Sequence, residues 1–109
     1  MNKNEIAIIG GAGFVGSRLS AHLDKNFLSH NNYDIDLSNN SKNLFYIDVE
    51  DPNSLNKLLN SKIIINLAAV HRDDEPKHLY DEVNVNGAKL LCKAAEEYGV
   101  QHLIFTSSV

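Results

Sequence analysis

The chain of 109 residues is 43% hydrophobic and 22% charged, a balance that suits one globular domain and lies far from the composition of disordered chains. Its formal net charge of −4, with no cluster of lysines and arginines, provides no basic stripe for a phosphate backbone and excludes nucleic acid as a partner. A single cysteine, Cys92, a polar start from Met1 to Glu5 and the lack of any apolar run of bilayer length lead us to expect a cytoplasmic protein without disulfides or a membrane role.

Apolar runs of strand length alternate with amphipathic stretches of helix length, the pattern of βαβ units around a parallel sheet. The first strand is expected at Glu5 to Ile9, and a glycine turn then leads into a helix from about Gly13 to Asp24, with Phe14, Leu19 and Leu23 as core candidates. Lys25 to Asn32 reads as a polar connection. In the second strand Tyr33, Ile35 and Leu37 alternate with Asp34 and Asp36, until the polar run Ser38 to Asn43 breaks it. Leu44 to Asp48 makes a third strand. Asp51, Pro52 and Ser54 then start a helix with Leu55, Leu58 and Leu59 as its apolar stripe, and Ile63-Ile64-Ile65 opens the fourth strand. Pro76 precedes the longest helix, about Leu79 to Tyr98, which Gly99 closes. A fifth strand, His102 to Thr106, runs into Ser107, Ser108 and Val109, and this end without a turn or closing helix reads as a cut.

Gly10-Gly11-Ala12-Gly13-Phe14-Val15-Gly16 follows a strand and opens a helix, the context that gives a glycine run chemical meaning. It reads as GxxGxxG from Gly10 and as GxGxxG from Gly11. In either register one glycine makes the tight turn, one lets phosphate oxygens reach the backbone, and one lets the helix lie close to the strand. A helix start with unpaired amides then faces a pyrophosphate. Ser17 and Arg18 follow Gly16 where a P-loop NTPase needs Lys and Ser or Thr. Asp36 stands twenty residues beyond Gly16, close to the spacing at which an acid ending the second strand accepts ribose hydroxyls, with Asp34 as the alternative. An acid there favours NAD over NADP, because it repels a 2′-phosphate.

The glycine run, Asn66-Leu67-Ala68-Ala69, Asn84-Val85-Asn86-Gly87 and Thr106-Ser107-Ser108 together resemble the extended short-chain dehydrogenase/reductase family, and best its nucleotide-sugar epimerase/dehydratase branch. The resemblance covers nearly the whole chain. It implies a Rossmann-like, doubly wound α/β sheet of five strands in the order 3-2-1-4-5, with residues 1–109 as the N-terminal part of one cofactor-binding domain. It also implies that Gly10, Gly13, Phe14, Val15 and Gly16 hold the pyrophosphate and that Asp48-Val49 borders the adenine. Leu67, Ala68, Ala69 and His71 would pass the ribose and nicotinamide side, with Thr106 at the end of the fifth strand. Asn84 would steady the active-site architecture, a reading its poor fit to a helix interior supports. Ser108 would be the catalytic residue of this segment, binding and polarising the reacting hydroxyl or carbonyl. The partners implied are NAD and a nucleotide sugar, with a homodimer allowed.

The family carries a Tyr-x-x-x-Lys pair, tyrosine as acid/base and lysine lowering its pKa. Tyr33, Tyr46, Tyr80 and Tyr98 all lack a lysine four residues on, so the chain itself is expected to be inactive. His71 and His78 have no spaced His or Cys partners, so no metal is expected, and His71 to Glu75 reads as a solvated loop. Cys92 reads as a small buried side chain. Two alternatives stay open: a non-catalytic dinucleotide sensor, and a reductase of a small carbonyl or sterol-like substrate.

Overall fold

Ile6–Ile9 forms the central strand, β1, whose residues Ala7, Ile8 and Ile9 are buried on both faces, as the near-continuous apolar run requires. The computed structural model describes residues 5–38, 43–68 and 77–106. Four further strands flank β1: His30–Asp34 (β2), Leu44–Tyr46 (β3), Ile63–Asn66 (β4) and His102–Phe105 (β5). All pairings are parallel, and the order is β3-β2-β1-β4-β5. This is the doubly wound arrangement expected from the sequence, with its order reversing between β1 and β4.

On one face of the sheet Ala7, Ile9, Tyr33 and Ile64 pack against Leu55 and Leu58 of a short 3₁₀ helix, Ser54–Leu58, and against Leu91 and Ala94 of α2, Lys77–Glu97. On the other face lies α1, Phe14–Lys25, whose Ser20 meets β2. The segment after Asp51 makes only this 3₁₀ turn, in place of the expected α-helix. Leu55 and Leu58 are buried in it while Leu59 is exposed, because the turn ends at Leu58 and Asn60 takes a left-handed φ of 83°. The long helix ends as expected: Gly99 at φ 69° gives its amide to Glu96, and Val100 gives its amide to Ala95, the paired bonds of a Schellman closure.

Further expectations need correction. The polar stretch ending at Asn32 is not a connection, because His30, Asn31 and Asn32 form the first part of β2, and the strand ends at Asp34 rather than at Leu37. His30 and Asn32 are buried because they share a polar network with Ser20 under α1. Asn32 Nδ2 donates to Ser20 Oγ at 2.9 Å, Ser20 Oγ lies 2.6 Å from His30 Nε2, and His30 Nδ1 lies 3.0 Å from the Leu28 carbonyl oxygen. Phe14 is not a core residue. It is 72% exposed at the first helical position, where the Arg18 guanidinium lies 3.6 Å over its ring. Cys92 is exposed, because the neighbouring Leu91 takes the inward position of α2.

Candidate cofactor site

The carboxyl ends of β1, β2 and β4 meet the loop after β3 and one face of α2 around a cavity of about 270 Å³, near the lower end of small-ligand sites. It opens at the point where the strand order reverses, where ligands bind in open α/β sheets. The glycine turn is its floor. Gly10 and Gly11 both donate their amides to the Tyr33 carbonyl, at 2.7 and 3.1 Å, which ties the turn to the end of β2. Gly10 holds φ at 85°, and a Cβ there would lie 2.9 Å from the Ala68 nitrogen, so the turn reaches β4's exit only without a side chain. At Gly16 a Cβ would run into the Gly10 carbonyl oxygen and lie 2.8 Å from Gly11 Cα. This glycine is what lets α1 start directly on the turn.

The start of α1 has neither a capping side chain nor an acid in its first turn. Ser17 donates back to Gly13 at 2.9 Å, while the amides of Phe14, Val15 and Gly16 have no protein acceptor among the described residues. Three unpaired donors and the positive end of a helix dipole suit an anionic diphosphate. Among the described residues a Cβ on Gly13 would meet only the Gly10 carbonyl oxygen, 3.4 Å away, so ligand atoms have room to approach the backbone.

At the lip of the turn, Asp34 Oδ2 accepts the Ala12 amide at 3.0 Å and Oδ1 accepts the Asp36 amide at 3.1 Å. A carboxylate has about four acceptor positions, so two remain for hydroxyls of a ligand. Asp34 lines the cavity. Asp36 does not: it lies past the strand end, exposed, where the Ser38 hydroxyl and then the Ser38 backbone N–H hold its carboxyl below the usual aspartate value.

The far wall is the corner Asp48-Val49-Glu50, fixed by three bonds. The Asp48 amide donates to Ser54 Oγ, the Glu50 amide to Asp48 Oδ1, and the Asp51 amide to the Asp48 carbonyl. Asn66, Leu67 and Ala68 form the wall at β4, where Asn66 Oδ1 accepts the Ala68 amide at 3.2 Å. From α2, Asn84, Gly87 and Ala88 close the side, at the i, i+3, i+4 spacing that shares one helix face.

Of the residues singled out in the sequence, Gly10, Gly13, Asp48, Val49, Leu67, Ala68 and Asn84 are therefore brought together around one cavity. Phe14 and Val15 stand beside it at the helix start, and Gly16 is buried beneath. Thr106 follows β5, exposed, with its amide 3.4 Å from the Asn66 carbonyl oxygen. Ala69, His71 and Ser108 lie outside the described residues. Asn66 and Gly87 were read only as members of the motifs that carry the resemblance, without a site role, and Glu50 was not singled out, yet all three line the cavity. Gly87 had a legible signal, since it stands three residues after Asn84 on the same helix face. Among the described residues no group of His, Cys, Asp and Glu is arranged to hold a metal ion, and no helix is long and apolar enough to cross a membrane.

Comparison with known proteins gives this geometry its setting. Residues 6–109 match the model of the NAD dependent epimerase/dehydratase family. The chain belongs to that family. Among curated relatives, it is 41% identical over 114 residues to the N-acetyl-alpha-D-glucosaminyl-diphospho-ditrans,octacis-undecaprenol 4-epimerase of Escherichia coli O157:H7. All of this chain is matched, and it spans 33% of that relative's length. Among solved structures it is similar to a short-chain dehydrogenase/reductase superfamily protein from Agrobacterium tumefaciens with bound NAD, with a TM-score of 0.83 and 26% identity over 94% of this chain and 32% of that one. It is also similar to the UDP-glucose 4-epimerase of Thermus thermophilus in complex with NAD, with a TM-score of 0.82 and 26% identity over 94% of this chain and 37% of that one.

Proposed function

We propose that this chain is the NAD-holding part of an enzyme that inverts a sugar hydroxyl on a diphosphate-linked substrate. The observation that carries the reading is the uncapped start of α1, set on the glycine turn at the switch point, with Asp34 at its lip. Bound NAD would supply a hydride acceptor and then donor, so that a sugar carbon oxidised to a carbonyl is reduced again from its other face. The chain's own part is to bind and orient. Amides of Phe14, Val15 and Gly16 hold the pyrophosphate, Asp34 accepts the adenosine ribose hydroxyls, and the Asp48-Val49 corner borders the adenine. Leu67 and Ala68, with Ala69 and His71 beyond, pass the nicotinamide side, and Ser108 polarises the reacting oxygen. These last roles rest on the family resemblance.

The relatives support the substrate class proposed. A UDP-sugar is the nucleotide-linked form, named in the Thermus enzyme, and a polyprenyl diphosphate sugar is the form named for the Escherichia coli relative. Both offer a glycosyl diphosphate. The sequence contains no Tyr-x-x-x-Lys pair, and on that ground the chain alone binds cofactor without turnover. The cytoplasm is the compartment that goes with this reading.

Titration calorimetry with NAD and NADP tests the cofactor assignment. NAD should bind, and NADP should bind at least about tenfold more weakly, because one poorly placed charge pair readily accounts for about 1.4 kcal/mol. Asp34→Asn should narrow that preference and Asp36→Asn should leave it unchanged. Equal affinity for the two cofactors in the unmodified chain would sink the assignment, and the reverse ranking of the two variants would return the ribose contact to Asp36.

A further inference from the structure

Gly87 is buried in the middle of α2, lines the cavity, and lies directly behind Val49. A Cβ built on it would stand 3.0 Å from Val49 Cγ2 and 3.8 Å from Val49 Cβ. The first distance is tighter than side chains ordinarily tolerate. Val49 is β-branched, so its χ1 has little freedom to swing the methyl aside. Its backbone is also pinned, since the bonds from Asp48 to Ser54, from Glu50 to Asp48 and from Asp51 to Asp48 lock the corner on both sides. The strain of an added methyl would therefore be relieved by moving the helix or the corner, and each carries a wall of the cavity. Helix conformation does not require a glycine at this position. Glycine costs stability in a helix interior relative to alanine, so the residue is unfavourable locally and its use must lie in the contact it permits.

We propose that Gly87 is a positioning residue for the cofactor: the missing side chain sets the separation between α2 and the Val49 corner, and so the width of the adenine end of the cavity. This rests on the reading of the cavity as the NAD site. The test is a double-mutant cycle on the whole chain, with Gly87→Ala, Val49→Ala and the pair, probed by NAD and by ADP-ribose in calorimetry and by thermal unfolding. Gly87→Ala should keep or raise the unfolding midpoint through its better helix propensity, yet bind both ligands about fivefold more weakly, a modest loss for a wall moved by a few tenths of an ångström. A purely structural glycine would not separate these readouts. In the Val49→Ala background the methyl that obstructs is gone, so adding Gly87→Ala should cost no further affinity.

Unchanged affinity in Gly87→Ala, or an equal loss with and without Val49, would overturn the inference. Failure of the unmodified chain to bind either ligand would instead overturn the cofactor reading.

Discussion

Phe27 closes α1 in the left-handed region, at φ 59°, with its side chain 93% exposed. Its amide bonds Asp24 and the next amide bonds Leu23, so it occupies the place in a Schellman closure that Gly99 fills after α2. A bulky residue there costs about 1 kcal/mol or more, with no buried contact to offset it. Phe27→Gly should therefore stabilise the chain by about 1 kcal/mol in urea unfolding, and a loss of stability would show that the Phe27 side chain holds the fold through a contact of its own. Tyr33 supplies a pH test. Burial raises its hydroxyl pKa, against a smaller lowering by Asn31, so the fold favours the neutral phenol. For a raised tyrosine the sign is a penalty: nothing is lost below the unfolded value near 10, and between that value and the higher folded one the unfolded chain gives up its proton more readily. Stability should fall on the alkaline side above about pH 10, and Tyr33→Phe should remove that part of the slope. Residue-scale features differ in how far they can be read from sequence. Gly10 and Gly16 were legible because a backbone approach admits only one residue type. Which of Asp34 and Asp36 lines the cavity was not, since it depends on where β2 ends.

At the scale of elements, β2 shows why that end was misplaced. Periodicity looks for apolar residues, and here His30 and Asn32 occupy inward positions by bonding through Ser20 of α1. The alternation of Tyr33, Ile35 and Leu37 imitated a strand, yet Ile35 and Leu37 are exposed past its end. The network is not fully satisfied. Among the described residues Asn32 Oδ1 has no partner, and it lies 2.8 Å from where a Cβ on Gly11 would be. Ser20→Ala should orphan Asn32 Nδ2 as well and cost about 1–3 kcal/mol by chemical unfolding, the usual penalty for a buried polar group left unpaired. A negligible change would mean that the β2 polar groups find other partners. The apolar runs of β1 and β4 and the α2 boundary at Gly99 were legible, because burial and capping write themselves in residue type. The 3₁₀ turn after Asp51 was not, since its leucines fit an α-helix equally well until the chain length before β4 limits it.

For the whole molecule, the sheet order and family membership followed from alternating runs and from four motifs in sequence. What the three-dimensional arrangement adds is which of those motifs face one another. The glycine turn, Asp34, the Asp48-Val49 corner, the exit of β4 and the Asn84 face of α2 surround a single cavity, while β5 forms the far edge with Ile104 and Phe105 partly exposed. The central claim is that this cavity and the start of α1 hold NAD. The most direct measurement is a titration of the ¹⁵N-labelled chain with NAD, followed through the backbone amide resonances. The largest shifts should fall on Gly13, Phe14, Val15 and Gly16, with smaller ones at Asp34, Val49 and Gly87. No change at these amides at saturating NAD, or shifts confined to the β5 edge or to the cleft beside Tyr46 and Lys57, would contradict it.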